Sequence, residues 1–329
     1  MNYSEAKIEF ERLFNHELSD QQMREFLLSL KLDSSTSVES IAAAASVMRS
    51  HSIALNVAKE LKPKLIDVVG TGGDKSGSFN ISSTTSILLA SCGCYVAKHG
   101  NRSITSKSGS ADVLEKIGVR LDLSLESSAK LLEETGFTFM FAQNHHPAMK
   151  FIMPIRKSID EKTVFNVLGP LTNPAGVEKF LLGVFDKVFV PKIAEALVLN
   201  GVKDSIVVSS RDGMDEISIN DITYSSSIKD GVITHSEIEP LNFGIKRAPF
   251  EAILGGDALV NAKILTNVLE AKGEDAQRDV VLINAATALV VDGMARDIQD
   301  GLEIAREAIL SSKAKAKLAQ IIKVSASLS

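Results

Sequence analysis

The sequence GTGGD at residues 70–74 follows a short apolar run and precedes a segment that begins a helix near Ile81. Glycines permit positive φ and leave no side chain in the way, so the backbone N–H groups of such a loop can converge on a phosphate. The glycine spacing fits neither the P-loop nor the dinucleotide-binding fingerprint. The loop therefore predicts an anion site, although an ordinary turn between a strand and a helix would use the same glycines.

Hydroxyl and amide side chains are dense at residues 78–84, SFNISST, where the next helix begins. Capping that helix needs only one of them. The surplus suits hydrogen bonds to phosphate oxygens or to a hydrated cation, and a solvated serine-rich loop is the alternative.

A second polar loop, KHGNRS at 98–103 and SKSGSAD at 106–112, follows the next apolar run. The carboxyl ends of neighbouring parallel strands open at the same edge of a sheet, so the two loops could face one ligand. Lys98 or Arg102 alone could belong to a solvated basic turn. The shared character of the two loops favours a phosphate site between them.

Asp215 and Glu216 are adjacent carboxylates that could hold Mg²⁺. Neighbours on a regular strand point to opposite faces, so both reach one polyanionic ligand only at a bend, or each holds a different ion. Gly213 favours the bend. Without the phosphate loops, such a pair would most often be exposed charge.

Other residues that could carry chemistry form weaker patterns. His145 and His146 have no third ligand at a zinc-binding spacing, and no G-x-S-x-G motif is present. The only cysteines, Cys92 and Cys94, are predicted to be buried small residues. Arg156 lies on a predicted helix and by default belongs to a solvated cationic face.

Periodicity predicts the elements that position these residues. Before Pro63 the chain is helical, with capping boxes at Ser19 and Thr36. After Pro63, short apolar runs alternate with helical stretches, which is typical of a mostly parallel sheet. The predicted strands are 65–69, 95–98, 138–142, 180–184 and 204–208, and the predicted helices include 83–91, 110–117, 127–135 and 190–200. Three amphipathic helices are expected from Gly256 onward.

The predicted fold class is α/β, with a small all-helical domain beside a large α/β domain that has a mostly parallel central sheet. Residues 146–178 lack strand alternation and are expected to return to the helical unit. The helical domain is therefore assigned residues 1–63 with about 146–178, and the α/β domain 64–145 with about 179–329.

Composition narrows the classes of function. The chain has 329 residues, and 45% of them are hydrophobic, which excludes intrinsic disorder. The formal net charge of -5 argues against nucleic acid or an anionic membrane as partner. No apolar stretch approaches the roughly 20 residues that span a bilayer, and the charged N-terminus lacks a signal-peptide pattern, so a cytoplasmic location is predicted.

Eight motifs together resemble those of the anthranilate phosphoribosyltransferase family, in the right order within about residues 10 to 310. They are GTGGD at 70–74, SFNISS at 78–83, KHGNRS at 98–103, SKSGSAD at 106–112, HPAMK at 146–150, FNVLGPLTNPAG at 165–176, DGMDEIS at 212–218 and GGDALVNA at 255–262. The combination is far more specific than any single motif.

The resemblance implies transfer of 5-phosphoribosyl from phosphoribosyl pyrophosphate (PRPP) to the amine of anthranilate, with release of pyrophosphate, in tryptophan biosynthesis. It also implies Mg²⁺ as cofactor, a homodimer formed through the helical domain, and a fold similar to that of the pyrimidine nucleoside phosphorylases. No nucleic acid or membrane is expected as partner.

Motif by motif, the resemblance assigns residues to three sites. PRPP is assigned Gly70, Gly73, Asp74, Ser78, Asn80, Ile81, Ser82, Ser83, Lys98, His99, Gly100, Asn101, Arg102, Ser103, Ser106 and Ser110. Anthranilate is assigned Gly70, Asn101 and Arg156, and Mg²⁺ is assigned Ser82, Asp215 and Glu216. No acid, base or covalent nucleophile is assigned, because Lys98 and Mg²⁺ are expected to stabilise the leaving pyrophosphate.

Five positions depart from residues common in the family: Gln143, His145, Ser209, Lys162 and Ser78. Gln143 and its neighbours leave the acceptor preference open. Two other functions are also considered, a pyrimidine nucleoside phosphorylase relative and a binding protein without activity, for instance one for nucleic acid. The glycine loop and the paired carboxylates favour pyrophosphate over a single phosphate, and the net charge disfavours nucleic acid.

Overall fold

The computed structural model describes residues 1–103 and 107–328. Its helices are α1 (Tyr3–Phe14), α2 (Asp20–Ser29), α3 (Val38–Ser50), α4 (Ile81–Cys92), α5 (Ser110–Lys116), α6 (Leu125–Thr135), α7 (Ala142–His145), α8 (Met149–Lys157), α9 (Phe165–Leu168), α10 (Phe189–Leu199), α11 (Ala258–Leu269), α12 (Asp275–Asp292), α13 (Ile298–Leu310) and α14 (Lys313–Ser327). Its strands are β1 (Leu65–Gly70), β2 (Tyr95–Gly100), β3 (Phe137–Phe141), β4 (Lys179–Gly183), β5 (Asp204–Ser210), β6 (Thr223–Lys229) and β7 (Val232–Ile238).

The strands form one sheet in the order β3-β2-β1-β4-β5-β6-β7. β1 to β5 run parallel, and β6 and β7 extend the sheet as an antiparallel pair. The predicted α/β class with a mostly parallel sheet is confirmed. Because β1 lies between β2 and β4, the loops that follow β1 and β2 leave side by side at the carboxyl edge.

Two apolar clusters cover the two faces of this sheet. Ile66 and Val68 of β1 belong to the cluster that includes α4 and α12, whereas Leu65 and Val69 belong to a cluster that continues into the N-terminal helices. This division follows from the alternation of side chains along a strand.

The N-terminal helices pack against the segment that follows β3. The ring centroid of Phe165 in α9 lies 6.4 Å from that of Phe10 and 6.3 Å from that of Phe14. Helix α2 contacts α8, and Leu32 donates its N–H to Lys162 O at 2.8 Å. We call α1–α3 and α7–α9 the helical layer.

The predicted strands and the helices between them are found with ends shifted by at most two residues. The capping box at Ser19 is also confirmed. The predicted cap at Thr36 is wrong, because Ser37 caps α3 by accepting the N–H of Ser40 at 3.1 Å. Four helices, not three, follow Gly256, since Ser312 adopts a φ of 64° and separates α13 from α14.

Strands β6 and β7 were not predicted.

Among the described residues, no helix is long and apolar enough to cross a membrane.

Candidate functional site

The glycine loop leaves β1 at Gly70 and enters α4 at Ile81. Gly72 and Gly73 have φ of 66° and 73°, in the left-handed region that glycine adopts without strain. The loop thereby turns across the sheet edge, and Gly72 donates its N–H to Asp215 Oδ2 at 2.6 Å.

Lys98 of β2 points toward the face covered by α4. Its Nζ donates to Val68 O at 2.7 Å and to Ser82 Oγ at 3.3 Å. The side chain is buried, and burial lowers the pKa of the ammonium, while the carboxylates around it oppose that shift. The ammonium is thus held beneath the start of α4.

Asp215 and Glu216 lie in a loop after β5 rather than in a strand. The loop bends at Gly213, whose φ is 95°. Asp215 faces Gly72, and Glu216 Oε1 accepts the N–H of Ser82 at 3.2 Å. Of the two arrangements considered from the sequence, the structure has the bend, and both carboxylates face the glycine loop and the first turn of α4.

Two glycines allow this acidic loop to approach the sheet. A Cβ at Gly183 would lie 1.5 Å from Asp215 O, and one at Gly70 would lie 2.3 Å from Asp215 Oδ2. The acidic loop therefore rests directly on the ends of β1 and β4, a close backbone approach that glycine makes possible.

Helix α12 fixes the acidic loop from the other side. Asn284 is buried, accepts the N–H of Ile217 at 3.1 Å and donates to Ile217 O at 2.8 Å. Its amide also donates to Val280 O at 2.8 Å. The main chain next to Glu216 is thus held at both its donor and its acceptor.

The electrostatics of the acidic loop favour a bound cation. Burial raises the pKa of Asp215 to about 7, and nearby Asp74 adds to the rise. Burial also raises the pKa of Glu216 well above its ordinary value, with the charge of Asp215 as the next cause. Glu216 Oε2 is buried without a hydrogen-bond partner. A divalent cation would relieve this repulsion and give that oxygen a partner.

The space beside these carboxylates is small. Ser82, Asp215 and Glu216 line a cavity of about 10 Å³, which is the size that one water molecule or ion requires. Within residues 1–103 and 107–328, no group of three or more His, Cys, Asp or Glu side chains could hold a metal ion. Two carboxylates and a hydroxyl fit Mg²⁺, which commonly takes its other ligands from substrate phosphates and water.

Asn80 links the glycine loop to two other segments. Its amide donates to Ser108 O at 3.3 Å, and its Oδ1 accepts from Asn261 Nδ2 at 2.9 Å. Asn261 Oδ1 in turn accepts the N–H of Gly256 at 2.7 Å. Asn80 therefore connects both polar loops with the start of α11.

The remaining residues assigned to PRPP near α4 differ in what they offer a ligand. Ser78 is half-buried, and its Oγ lies 3.2 Å from Ser76 Oγ. Ser83 is fully buried, and its hydroxyl has no hydrogen-bond partner. The side chain of Ile81 belongs to the apolar core, so only its main chain could contact a ligand.

Arg102 is engaged by α5. Its guanidinium lies 3.1 Å from Asp112 and 2.6 Å from Glu115, and both carboxylates raise its pKa, Glu115 more strongly. Asp112 also accepts the N–H of Ser103 at 3.1 Å. In this arrangement, the charge of Arg102 is compensated within the chain.

The rest of the second polar loop returns to the sheet. Gly100 ends β2, where a Cβ would lie 2.8 Å from the ring of Phe139, and Ser110 begins α5. Asn101 O accepts the N–H of Ala111 at 3.3 Å. Ser106 lies outside the described residues.

His99 points to the opposite face from Lys98, toward the helical layer. Its Nδ1 lies 3.1 Å from Gly169 O, and its ring centroid lies 5.2 Å from that of His146. Burial is the main cause that lowers the pKa of His99 to about 3 and that of His146 to about 4. Both rings are therefore neutral at neutral pH.

Arg156 lies on α8 with an apolar surrounding. Its guanidinium carbon is 5.9 Å from the ring centroid of Phe165, and its Nη1 is 3.9 Å from Met153 Sδ. Burial lowers its pKa. In the part of the chain that the structure describes, no carboxylate pairs with it, and no hydrogen bond joins it to Gly70 or Asn101.

A larger cavity, of about 500 Å³, opens between the glycine loop and the helical layer. Asp74 and Lys75 of the glycine loop line it together with Lys162 and Phe185, and Lys162 Nζ lies 3.3 Å from the ring centroid of Phe185. This volume is large enough for a small organic ligand.

Two of the departures from the family pattern have identifiable surroundings. His145 is buried, and its Nδ1 lies 2.7 Å from Ile53 O, which ties α7 to the segment after α3. Ser209 is buried, and its hydroxyl has no hydrogen-bond partner.

The sequence analysis missed four buried polar residues that hold the site together: Asp67, Asn173, Asn261 and Asn284. A carboxylate within the apolar run LIDVV was an available signal for Asp67. Asn173 and Asn261 lie within the motifs at 165–176 and 255–262, but neither motif indicates their partners, and Asn284 carried no signal, because these partners are distant in the chain.

Comparisons with known proteins agree with this geometry. A family model described as "Glycosyl transferase family, a/b domain" matches residues 62–315. An anthranilate phosphoribosyltransferase from Xanthobacter autotrophicus is 45% identical over 324 residues, which are 98% of this chain and 92% of that protein. The crystal structure of an anthranilate phosphoribosyltransferase from Thermus thermophilus superposes with a TM-score of 0.91 at 34% identity, covering 99% of this chain and 96% of that one.

The enzyme of the same name from Saccharomyces cerevisiae is also similar. Its complex with PRPP and Mg has a TM-score of 0.84 at 30% identity and covers 94% of this chain and 86% of that one. Its complex with 4-fluoroanthranilate has a TM-score of 0.88 at 26% identity and covers 100% and 94%. The resemblance seen in the motifs and the function that it implied are confirmed. The chain belongs to the anthranilate phosphoribosyltransferase family.

Proposed function

We propose that this chain transfers 5-phosphoribosyl from PRPP to the amine of anthranilate in a reaction that depends on Mg²⁺. The observation that carries the proposal is the position of Asp215 and Glu216 against the first turn of α4, beside the buried ammonium of Lys98. Groups that are already fixed where charge develops can stabilise the leaving pyrophosphate without reorganising.

Ser82, Asp215 and Glu216 would hold Mg²⁺, which when bound neutralises charge on the phosphate oxygens. Lys98 would bind the departing pyrophosphate from the sheet side. The N–H groups of the glycine loop would bind the phosphates of the pyrophosphate at the carboxyl edge of the sheet. The yeast relative in complex with PRPP and Mg supports this assignment.

The aromatic amine is a weak nucleophile, so ribose C1 must become strongly electrophilic as pyrophosphate departs. Correct positioning of donor and acceptor then contributes most of the remaining acceleration. We assign no base, because the proton of the amine can be lost after the new bond begins to form.

We propose Arg156 as the residue that binds the carboxylate of anthranilate. Its guanidinium is desolvated and has no carboxylate partner among the described residues, and a planar fork binds a carboxylate through two hydrogen bonds. The yeast relative in complex with 4-fluoroanthranilate supports an acceptor of this chemical class.

The two-domain division, the homodimer and the cytoplasmic location also belong to the proposal. Ile8 of α1 and Phe151 of α8 are 60% and 57% exposed, and a second copy at the helical layer would cover such side chains. Both cysteines are free, which is typical of a reducing compartment.

The test is the loss of anthranilate fluorescence from purified protein. We expect loss only when PRPP and Mg²⁺ are both present, with omission of PRPP, or of Mg²⁺ by chelation, as controls. Undiminished fluorescence in the complete mixture, or phosphorolysis of thymidine in its place, would contradict the proposal.

A further inference from the structure

The pairing between β1 and β2 ends early. Its register pairs are Leu65 with Tyr95 and Ile66 with Val96, although both strands continue to their terminal glycines. The next residues, Asp67 and Ala97, lie where the two strands approach the site. Other groups must therefore satisfy the main chain of β2 here.

Two buried side chains occupy this position. Asn173 donates from Nδ2 to Asp67 Oδ2 and to Ala97 O, both at 2.8 Å. Asp67 accepts the N–H of His99 at 3.3 Å and 3.4 Å from its two oxygens. Asp67 is 0% exposed and Asn173 is 1% exposed. We call this pair the wedge.

The orientation of the wedge is fixed. Asn173 Oδ1 accepts the N–H of Ala175 at 2.9 Å, so the amide uses both its oxygen and its nitrogen. Burial raises the pKa of Asp67 to about 6, and Lys98 and Asn173 counter that rise. A buried carboxylate with these partners has one favourable arrangement.

The groups that the wedge holds flank a single residue. Ala97 O belongs to the peptide unit before Lys98, and the N–H of His99 belongs to the peptide unit after it. The two peptide planes determine where the Lys98 side chain leaves the strand. The wedge therefore sets the direction of Lys98 toward Ser82 on one face and of His99 toward Gly169 on the other.

We propose that Asp67 and Asn173 are positioning residues for the transfer reaction, which act through the main chain on both sides of Lys98. This inference rests on the proposed role of Lys98 in binding the departing pyrophosphate. The segment around Asn173 thereby contributes to the donor site, although Asn173 lies 106 positions from Asp67 in the chain.

The test is a double-mutant cycle between Asp67→Asn and Lys98→Ala, measured as kcat/KM for PRPP at saturating anthranilate. Asp67→Asn preserves volume and one acceptor for the N–H of His99, but places an amide against the amide of Asn173. We expect it to lower kcat/KM roughly 10- to 100-fold. In the Lys98→Ala background the same change should lower it less than about twofold further, because the residue it acts through is gone.

Asn173→Ala provides an independent second variant and should show the same dependence on Lys98. Ser205→Ala is the matched control. Ser205 is buried, and its Oγ accepts the N–H of Phe180 from a neighbouring strand at 3.0 Å, but at the amino-terminal edge of the sheet. We expect Ser205→Ala to lose thermal stability while it keeps kcat/KM within about twofold of the starting protein.

The outcomes separate the two proposals. An inactive starting protein, or a Lys98→Ala variant as active as the starting protein, would refute the proposed function and the wedge with it. An impaired Lys98→Ala variant in which Asp67→Asn and Asn173→Ala each cost the same factor as in the starting protein would refute the wedge alone. Loss of kcat/KM in Ser205→Ala equal to that in Asp67→Asn would also refute it.

Discussion

Two buried cations on opposite sides of the sheet, Lys98 and Arg156, have different electrostatic surroundings. On the α4 face, Lys98 lies beside the charges of Asp215 and Glu216, and Asp67 adds a charge from the other face of β1. On the side of the helical layer, the guanidinium of Arg156 contacts the ring of Phe165 and the sulfur of Met153, and no carboxylate among the described residues pairs with it.

This difference indicates what each side requires from its ligand. A buried charge is costly unless it is paired. The α4 face contains excess acidic groups and suits a cation together with a polyphosphate. The surroundings of Arg156 lack an anion and suit a ligand that supplies a carboxylate.

The largest expected effect comes from removing the acidic groups of the α4 face. The double substitution Asp215→Asn with Glu216→Gln should lower kcat/KM for PRPP about 100- to 1,000-fold, because the leaving pyrophosphate loses its preorganised stabilisation. Titration of activity with Mg²⁺ at several PRPP concentrations measures this. An unchanged Mg²⁺ requirement in the double variant would show that the carboxylates do not hold the cation.

A second large effect is expected on stability, at the contact between β4 and the acidic loop. Gly183→Ala should destabilise the protein by about 3 kcal/mol, since its Cβ would overlap Asp215 O, 1.5 Å away. Gly169→Ala is the matched control, because no atom lies within 4 Å of a Cβ there. Urea unfolding measures both, and equal stability of the two variants would mean that the acidic loop can move away from β4.

Removing the guanidinium of Arg156 should have a smaller effect on activity, confined to the use of anthranilate. Arg156→Ala should lower kcat/KM for anthranilate roughly 10- to 100-fold while KM for PRPP stays unchanged, since a charge-assisted pair with the acceptor is lost. Arg156→Lys keeps the charge without the planar fork, so its kcat/KM for anthranilate should lie between that of Arg156→Ala and that of the starting protein. Steady-state kinetics with each substrate varied would contradict the assignment if the KM and kcat/KM for anthranilate did not change in Arg156→Ala.

The smallest effect concerns the neutral histidines. Burial lowers the pKa of His146 from its ordinary value of 6.5 to about 4 in the folded protein, so the unfolded chain binds the proton first as the pH falls. Its contribution to stability is present above pH 6.5 and is lost on acidification. The stability of the starting protein relative to His146→Gln should therefore fall by about 2 kcal/mol from pH 7 to pH 5.

Urea unfolding of both proteins at the two pH values measures that difference, and titrating groups that do not interact with His146 cancel because both proteins contain them. His99 is the exception, since a charged His146 lowers its pKa. A stability difference that does not vary with pH would mean that His146 has the same pKa in the folded protein as in the unfolded chain.

The sequence predicted the regular part of the fold because its signals are local. Strands β1 to β5 are apolar runs, and GTGGD directly follows one of them. Strands β6 and β7 were not predicted because their serines pair across the strands, as Ser225 Oγ does with Ser236 Oγ at 2.8 Å, instead of alternating with apolar residues. The left-handed turn at Ser312 lacks the glycine that usually marks such a break.

The candidate site was predictable where a motif names its own residues and not where partners are far apart. Asp67 and Asn173 are separated by 106 positions, so their hydrogen bond follows from the topology of the sheet. Arg102 shows the opposite limit, since its assignment to PRPP came from its motif, while the structure pairs its charge with α5.

Asn284 has one more consequence for how tightly a donor can be held. Its two hydrogen bonds to Ile217 fix the main chain next to the acidic residues before a ligand binds, so binding need not order a flexible segment there. The acidic loop then loses little conformational entropy when the donor binds. A residue of α12 can in this way strengthen the binding of the donor through the main chain of the acidic loop.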